Sequence, residues 1–419
     1  MKVLLGYHKE KVEVYIPDDN LRGILKPKKP TGSLSEQDIL LQALTHPLGA
    51  PLLGEIVKPG EKVVIVTSDI TRPMPTAMVL PMVVDTLNQA RVDDKDITVV
   101  FGLGIHRKHA AEEHAMLAGQ ELYDRITCVD SDPDAVVHLG ETSRGTPVDI
   151  FRKVVDADRR ICLGNIEYHY FAGFSGGMKA IMPGISTRRA IQANHSRMVE
   201  ESAITGKLEG NPVREDIDEV YRFLPVDYIM NVVLGENKNI INAFAGDVFQ
   251  AHRAGCAYLD SLYKVEIDAP ADIVIVTPGG FPKDINLYQA QKALDNAKHA
   301  VKEGGSIILL AACREGLGEE VFEHWMLNAP NPHHMIEDIQ KNFELGGHKA
   351  AAIATVMEKA KIYLVSEFSP DFTRRLFMAP FPDIQTALAQ ALHEQGPDAD
   401  ILVMPYGGAT LPVPAGKLG

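Results

Sequence analysis

The residues with the most obvious capacity for chemistry cluster in one glycine-rich stretch, His169-Tyr170-Phe171-Ala172-Gly173-Phe174-Ser175-Gly176-Gly177-Met178-Lys179. Glycines at Gly173, Gly176 and Gly177 let a backbone approach a ligand closely, as phosphate-binding loops do. The stretch is not a Walker A loop, because Lys179 is followed by Ala180 and no hydroxyl stands ready to hold magnesium. A lysine set among Met178, Ala180, Ile181 and Met182 is open to desolvation, which lowers its pKa and frees a neutral, nucleophilic amine. The same local sequence equally suits a lysine whose stem packs on apolar surface while its head reaches water.

Other ionisable residues follow short apolar runs. After Val63-Val64-Ile65-Val66 come Asp69 and Arg72, and after Ile97-Thr98-Val99-Val100 come Gly104, His106 and Arg107. His169 lies shortly after Ile161-Cys162-Leu163. In open α/β sheets ligands gather beyond the carboxyl ends of the strands, so this recurrence is a stronger signal than any single motif. Ser186 is placed to cap a helix from Arg188 to Glu200 that carries His195, although a lone helical histidine is more often structural than a ligand. His109 and His114 have no HExxH context and read as a solvated helix start. Gln289 and Lys292, three apart in a helical pattern, share one face. Arg72 and Lys292 suit a carboxylate, the guanidinium bidentately.

The elements that must position these groups are continuous apolar strands alternating with amphipathic helices. Besides the runs above they include Ile273–Val276, Ile307–Leu310 and Ile401–Met404, with helical patterns over 110–120 and 287–301. This is an α/β fold with mainly parallel sheets covered by helices. A chain of 419 residues exceeds one compact core, and the segment Asp268-Ala269-Pro270 divides it into domains at 1–267 and 271–419, with the active site expected in the interdomain cleft. The formal charge of −14 speaks against a nucleic-acid partner. No secretory signal or membrane-length apolar run is evident, and four scattered cysteines form no CxxC pair, so a cytoplasmic protein with reduced thiols is expected.

Taken together, Asp69-Ile70-Thr71-Arg72, Gly104-Ile105-His106-Arg107, His169 through Lys179, His195 sixteen residues later, and Gln289-Ala290-Gln291-Lys292 resemble the nickel-dependent lactate racemase family. The resemblance runs in order through both halves, and the glycine-rich stretch with its flanking histidines is its most specific part. It implies that Lys179 links covalently, as a thioamide, to a nickel-pincer nucleotide (a pyridinium-3,5-bisthiocarboxylic acid mononucleotide), with His195 as the protein ligand to nickel. It further implies His106 and His169 as paired acid/bases and Arg72, Gln289 and Lys292 as substrate contacts. Asp69, Gly173, Ser175, Gly176 and Gly177 would touch the cofactor. Cofactor-maturation proteins are implied as partners, and expression without them would leave the chain unloaded. The residue before the lysine is basic in the lactate-specific pattern and is Met178 here. The resemblance therefore implies a racemase or epimerase of 2-hydroxy acids, whether lactate, malate or a sugar acid. A two-base, proton-abstracting racemase and a non-catalytic binder of a nucleotide or hydroxy acid are the competing readings.

Overall fold

The computed structural model describes residues 1–30, 32, 34–235 and 237–415, and the last four residues of the expected 271–419 domain fall outside them. The chain forms two compact units, Pro30–Asp260 and a second made of Met1–Lys29 together with Ser261–Gly419.

The Pro30–Asp260 unit is built on a six-stranded sheet. Its strands run, edge to edge, Ile240–Gly246, Tyr228–Leu234, Arg159–Ile166, Val63–Ser68, Ile97–Gly102 and Thr127–Asp130. All neighbours are parallel except the first pair. Val63, Val64, Ile65 and Val66 are all buried, so both faces of the central strand are covered, which is why the run is apolar without alternation. Ser68 lies in register with Gly102, and Phe101 with Asp130. The chain leaves Val63–Ser68 for the two strands on one side and later returns to Arg159–Ile166 on the other. That reversal is a topological switch point, and the loops after Ser68 and Ile166 flank it.

The other unit carries a six-stranded, wholly parallel sheet in the order Ala379–Phe381, Lys361–Val365, Val301–Leu310, Ala271–Val276, Ile401–Met404 and Leu21–Ile24. Val274 and Val276 pack under helices Leu287–Ala297 and Gly347–Lys359, while Ile273 and Ile275 pack with helix Ile384–Gln395. The reading of 1–267 as one domain is corrected at its beginning. Val3, Leu5 and Val14 of the hairpin Lys2–Tyr7/Glu10–Tyr15, with Ile16 just after it, bury against Ile273 and Ile275, and Leu21 pairs with Ile401. The first 29 residues therefore complete the sheet and core of the second unit.

Among the described residues no helix is long and apolar enough to cross a membrane. All four cysteines are free; burial raises the thiol pKa of Cys128 to about 11 and those of Cys162 and Cys256 to about 12, which leaves them protonated and inert.

Candidate active site

At the switch point of the Pro30–Asp260 unit the expected residues form two groups, Asp69 with His106 and Lys179 with His169 and His195, and the Arg72 charge acts on both. Arg159–Ile166 leads into a small hairpin in which His169 pairs with Gly173, leaving Phe171 in the connecting turn. The Phe171 ring is the hub of the site. Its centroid lies 4.5 Å from the His169 ring and 5.0 Å from that of His195, both edge to face, with Lys179 Nζ 5.9 Å away. Burial, then the nearby Arg214 and Arg72 charges, hold the Lys179 amine well below the usual lysine range, which favours its neutral, nucleophilic form. Burial, then Lys179, His195, Arg72 and Arg214, likewise hold the His169 imidazole well below its ordinary value. The Ala172 N–H donates to His169 Nδ1 at 3.3 Å, so in the neutral ring the hydrogen sits on Nε2.

His106 is held in the opposite tautomer. Its Nδ1 lies 2.5 Å from Asp69 Oδ2, and the Thr71 hydroxyl donates to Asp69 Oδ1 at 2.8 Å. Burial would raise the Asp69 carboxyl, but the His106 hydrogen bond and charge, with Thr71 and Arg72, outweigh it and hold the group below its usual value. An ionised carboxylate only accepts, so His106 carries its hydrogen on Nδ1 and its lone pair on Nε2. Asp69, expected as a cofactor contact, has both oxygens engaged in this way. Arg72 is exposed at the end of the same turn, whose backbone closes from Arg72 N–H to the Asp69 carbonyl at 3.1 Å.

The glycines are needed for a closeness that the protein itself supplies. Gly173 (φ +76°) faces the Lys207 carbonyl where any Cβ would collide, Gly176 (φ +77°) would place one 2.7 Å from Asn231, and Gly177 (φ +59°) one 2.9 Å from His252. Ser175 spends its hydroxyl inside the loop, donating to the Asn165 carbonyl at 2.7 Å and accepting from Glu167 N–H at 2.9 Å. Three buried side chains hold this loop from beneath, and none was singled out from the sequence. Arg214 donates to the carbonyls of Ala172 and Phe174, Asn231 Oδ1 accepts from Gly177 N–H at 2.9 Å, and His252 Nε2 donates to the Ser175 carbonyl at 2.8 Å. Arg253 donates to His252 Nδ1 at 2.8 Å, which fixes the His252 tautomer. Met178 is buried, so the position before Lys179 faces the interior.

Two local readings are corrected. The helix Arg188–His195 is capped by Thr187, whose side chain accepts from Ala190 N–H, while Ser186 instead donates to the Ile181 carbonyl; beyond His195 the chain continues as a 3₁₀ turn, Ser196–Val199. His109 and His114 do not form a solvated helix start: their side chains are 1% and 14% exposed, and they bond Asp130 Oδ1 at 2.6 and 2.8 Å. Among the described residues these three alone have ligand atoms close enough to share a metal. The hydrogen bonds speak for another role. Ile70 N–H donates to His109 Nε2 at 3.1 Å, so His109 carries its hydrogen on Nδ1, toward Asp130. A metal on Nδ1 would leave an Nε2 hydrogen facing the Ile70 N–H, two donors opposed. The chain Asp130–His109–Ile70 instead pins the turn that carries Asp69 and Arg72.

Gln289 and Lys292 lie in the other unit, both exposed on helix Leu287–Ala297, whose opposite face buries Ala290, Ala293 and Leu294.

Residues 7–206 match the family model described as the lactate racemase N-terminal domain, and residues 267–411 the model of the lactate racemase C-terminal domain. The chain is 32% identical over 419 residues to the lactate racemase of Thermoanaerobacterium thermosaccharolyticum, covering 96% of this chain and 97% of that protein. It is 33% identical over 416 residues, with the same coverage, to the lactate racemase of Lactiplantibacillus plantarum. The structure of the lactate racemase apoprotein from T. thermosaccharolyticum superimposes with a TM-score of 0.88 at 32% identity, covering 98% of this chain and all of that one. A Thermotoga maritima protein shares the fold at 19% identity, with a TM-score of 0.63 over 92% of this chain and 99% of that one.

Proposed function

The chain belongs to the lactate racemase family and is an isomerase, and from that premise we propose that it racemises or epimerises 2-hydroxy acids with a nickel-pincer nucleotide bound covalently to Lys179. The observation that carries this reading is the grouping of the Lys179 amine with His169 and His195 around one aromatic ring.

The residues fit the group. A desolvated amine suits thioamide formation, and a buried imidazole suits nickel(II). Lys179 would anchor the nucleotide and His195 would ligate the metal. When bound, the cofactor accepts the substrate's 2-hydrogen as hydride and returns it, chemistry that no side chain performs reversibly.

The chain's own residues supply the rest. The 2-hydroxyl proton goes to His106 Nε2, whose lone pair Asp69 keeps directed outward through the Nδ1 bond. His169 is the second member of the pair: it exchanges a proton with the oxygen at Nε2, the 3.3 Å Ala172 N–H contact yielding when Nδ1 carries the hydrogen, so that in each turnover one histidine gains the proton the other gives up. Two enantiomers present their hydroxyls differently, so two histidines, one serving each, suit a reaction that must run both ways. Arg72 would hold the carboxylate bidentately, and Gln289 and Lys292 would orient the substrate. Lactate, malate and sugar acids share this carboxylate and 2-hydroxyl.

The test is incubation of single enantiomers of these acids with loaded protein in heavy water. Loss of optical purity with the 2-hydrogen retained is expected. Deuterium at carbon 2 would replace the reading with two-base proton abstraction, and ligand-induced stabilisation without any change of chirality would make the chain a binder.

A further inference from the structure

The hydrogen bonds behind His195 assign roles to Asn194 and Asp216. Asn194 is fully buried, and one end of its amide meets two groups that only accept: the Val213 carbonyl at 3.1 Å and Asp216 Oδ2 at 2.7 Å. That end must be the NH₂, so the other end is Oδ1, and it lies 2.9 Å from His195 Nδ1. An acceptor there requires that His195 carry its hydrogen on Nδ1, which makes Nε2 the nitrogen with the lone pair. Asp216 is itself fixed. Oδ1 accepts from the Thr142 hydroxyl at 2.5 Å, and Oδ2 accepts from the Thr146 hydroxyl at 2.6 Å as well as from Asn194. Both threonines sit in the turn between strands Val136–Glu141 and Pro147–Phe151, and Asp216 is buried on helix Pro212–Glu219.

We propose that Asn194 and Asp216 are positioning residues for the metal ligand. Asp216 orients the Asn194 amide, and the amide sets the His195 tautomer and ring so that Nε2 is presented to nickel. The inference rests on the role proposed for His195. Metal-bound histidines elsewhere gain this orientation from a carboxylate or carbonyl on the second ring nitrogen; here a carboxylate acts through an amide, which orients the ring without placing a negative charge against it.

Two measurements test it. The first is the ¹⁵N spectrum of His195 in the full, unloaded chain: a pyrrole-type signal at Nδ1 and a pyridine-type signal at Nε2 are expected, and the reverse assignment would overturn the inference. The second compares nickel retention under a fixed chelator concentration in wild type and Asn194→Leu, both co-expressed with the cofactor-making enzymes. Removal of such an orienting partner costs about 10- to 100-fold in metal affinity, so nickel should leave the variant faster by that order while the mass adduct on Lys179 persists. Equal loss from two loaded proteins would remove the positioning role and leave the proposed function standing. Absence of adduct and nickel from wild type would remove both.

Discussion

Asp69→Asn isolates the His106–Asp69 pair, because the exchange keeps the shape of a side chain that is only 3% exposed. The Thr71 hydroxyl donates to Oδ1 in the wild type; an amide facing the other way would still exchange a charged acceptor for a neutral one at His106, whereas the amide that keeps its oxygen on Thr71 turns its NH₂ toward His106 Nδ1. The ring must then accept at Nδ1 and move its hydrogen to Nε2, where the lone pair is required for the substrate's proton. Loss of the charge-assisted bond alone, at about 1.5–3 kcal/mol, corresponds to roughly 13- to 160-fold at 1.36 kcal/mol per decade. Full tautomer reversal in a comparable His–Asp pair costs about 10⁴-fold in kcat. The assay is the initial rate of racemisation from each enantiomer, on protein whose adduct and nickel content match wild type. A loss of at least tenfold in kcat is expected, with loading unchanged. Turnover within about threefold of wild type at equal loading would refute the assignment of Asp69 as the group that sets the His106 tautomer.

His169→Ala is expected to retain the cofactor by intact mass yet lose racemisation; turnover at the wild-type rate would remove it from the proton-transfer pair. Arg214→Met leaves the carbonyls of Ala172 and Phe174 without their buried donor, while Asp218 keeps its pair with Arg253, at a cost of about 3 kcal/mol for the two unsatisfied acceptors. The apoprotein should accordingly melt about 6–12 °C lower, and an unchanged Tm would show that the guanidinium does not hold the loop. His252 is fully buried and His169 half-buried, and desolvation holds both imidazoles well below their ordinary value, so below pH 6.5 the unfolded chain binds protons that the folded chain refuses. Stability should therefore fall as the pH drops through that region, and His252→Gln, which keeps a donor for the Ser175 carbonyl, should flatten the slope in a urea titration at several pH values.

The strands were legible because burial on both faces left apolar runs such as Val63–Val66 and Ile273–Val276 with little else to be. The place of residues 1–29 was not. Whether Leu21–Ile24 pairs with a neighbouring strand or with Ile401–Met404 depends on contacts hundreds of residues apart, and nothing in the local pattern encodes them. The main chemical residues were legible as types at strand ends, whereas their partners were hidden by distance. Asp130 turns His109 and His114 from surface residues into buried ones, and it belongs to the following strand. Arg214 follows Asn211-Pro212, a helix-start signal that places the helix without revealing that its arginine turns inward. Asn194 adjoins His195 in sequence, but only Asp216 and the Val213 carbonyl show which way its amide faces.

The central claim is the covalent attachment of a nickel-bearing nucleotide at Lys179, and intact mass with metal analysis after co-expression with the cofactor-making enzymes tests it most directly. The account predicts a nucleotide-sized adduct and nickel on wild type and neither on Lys179→Ala. An unmodified mass and no nickel from both, beside a family member loaded in parallel, would contradict it.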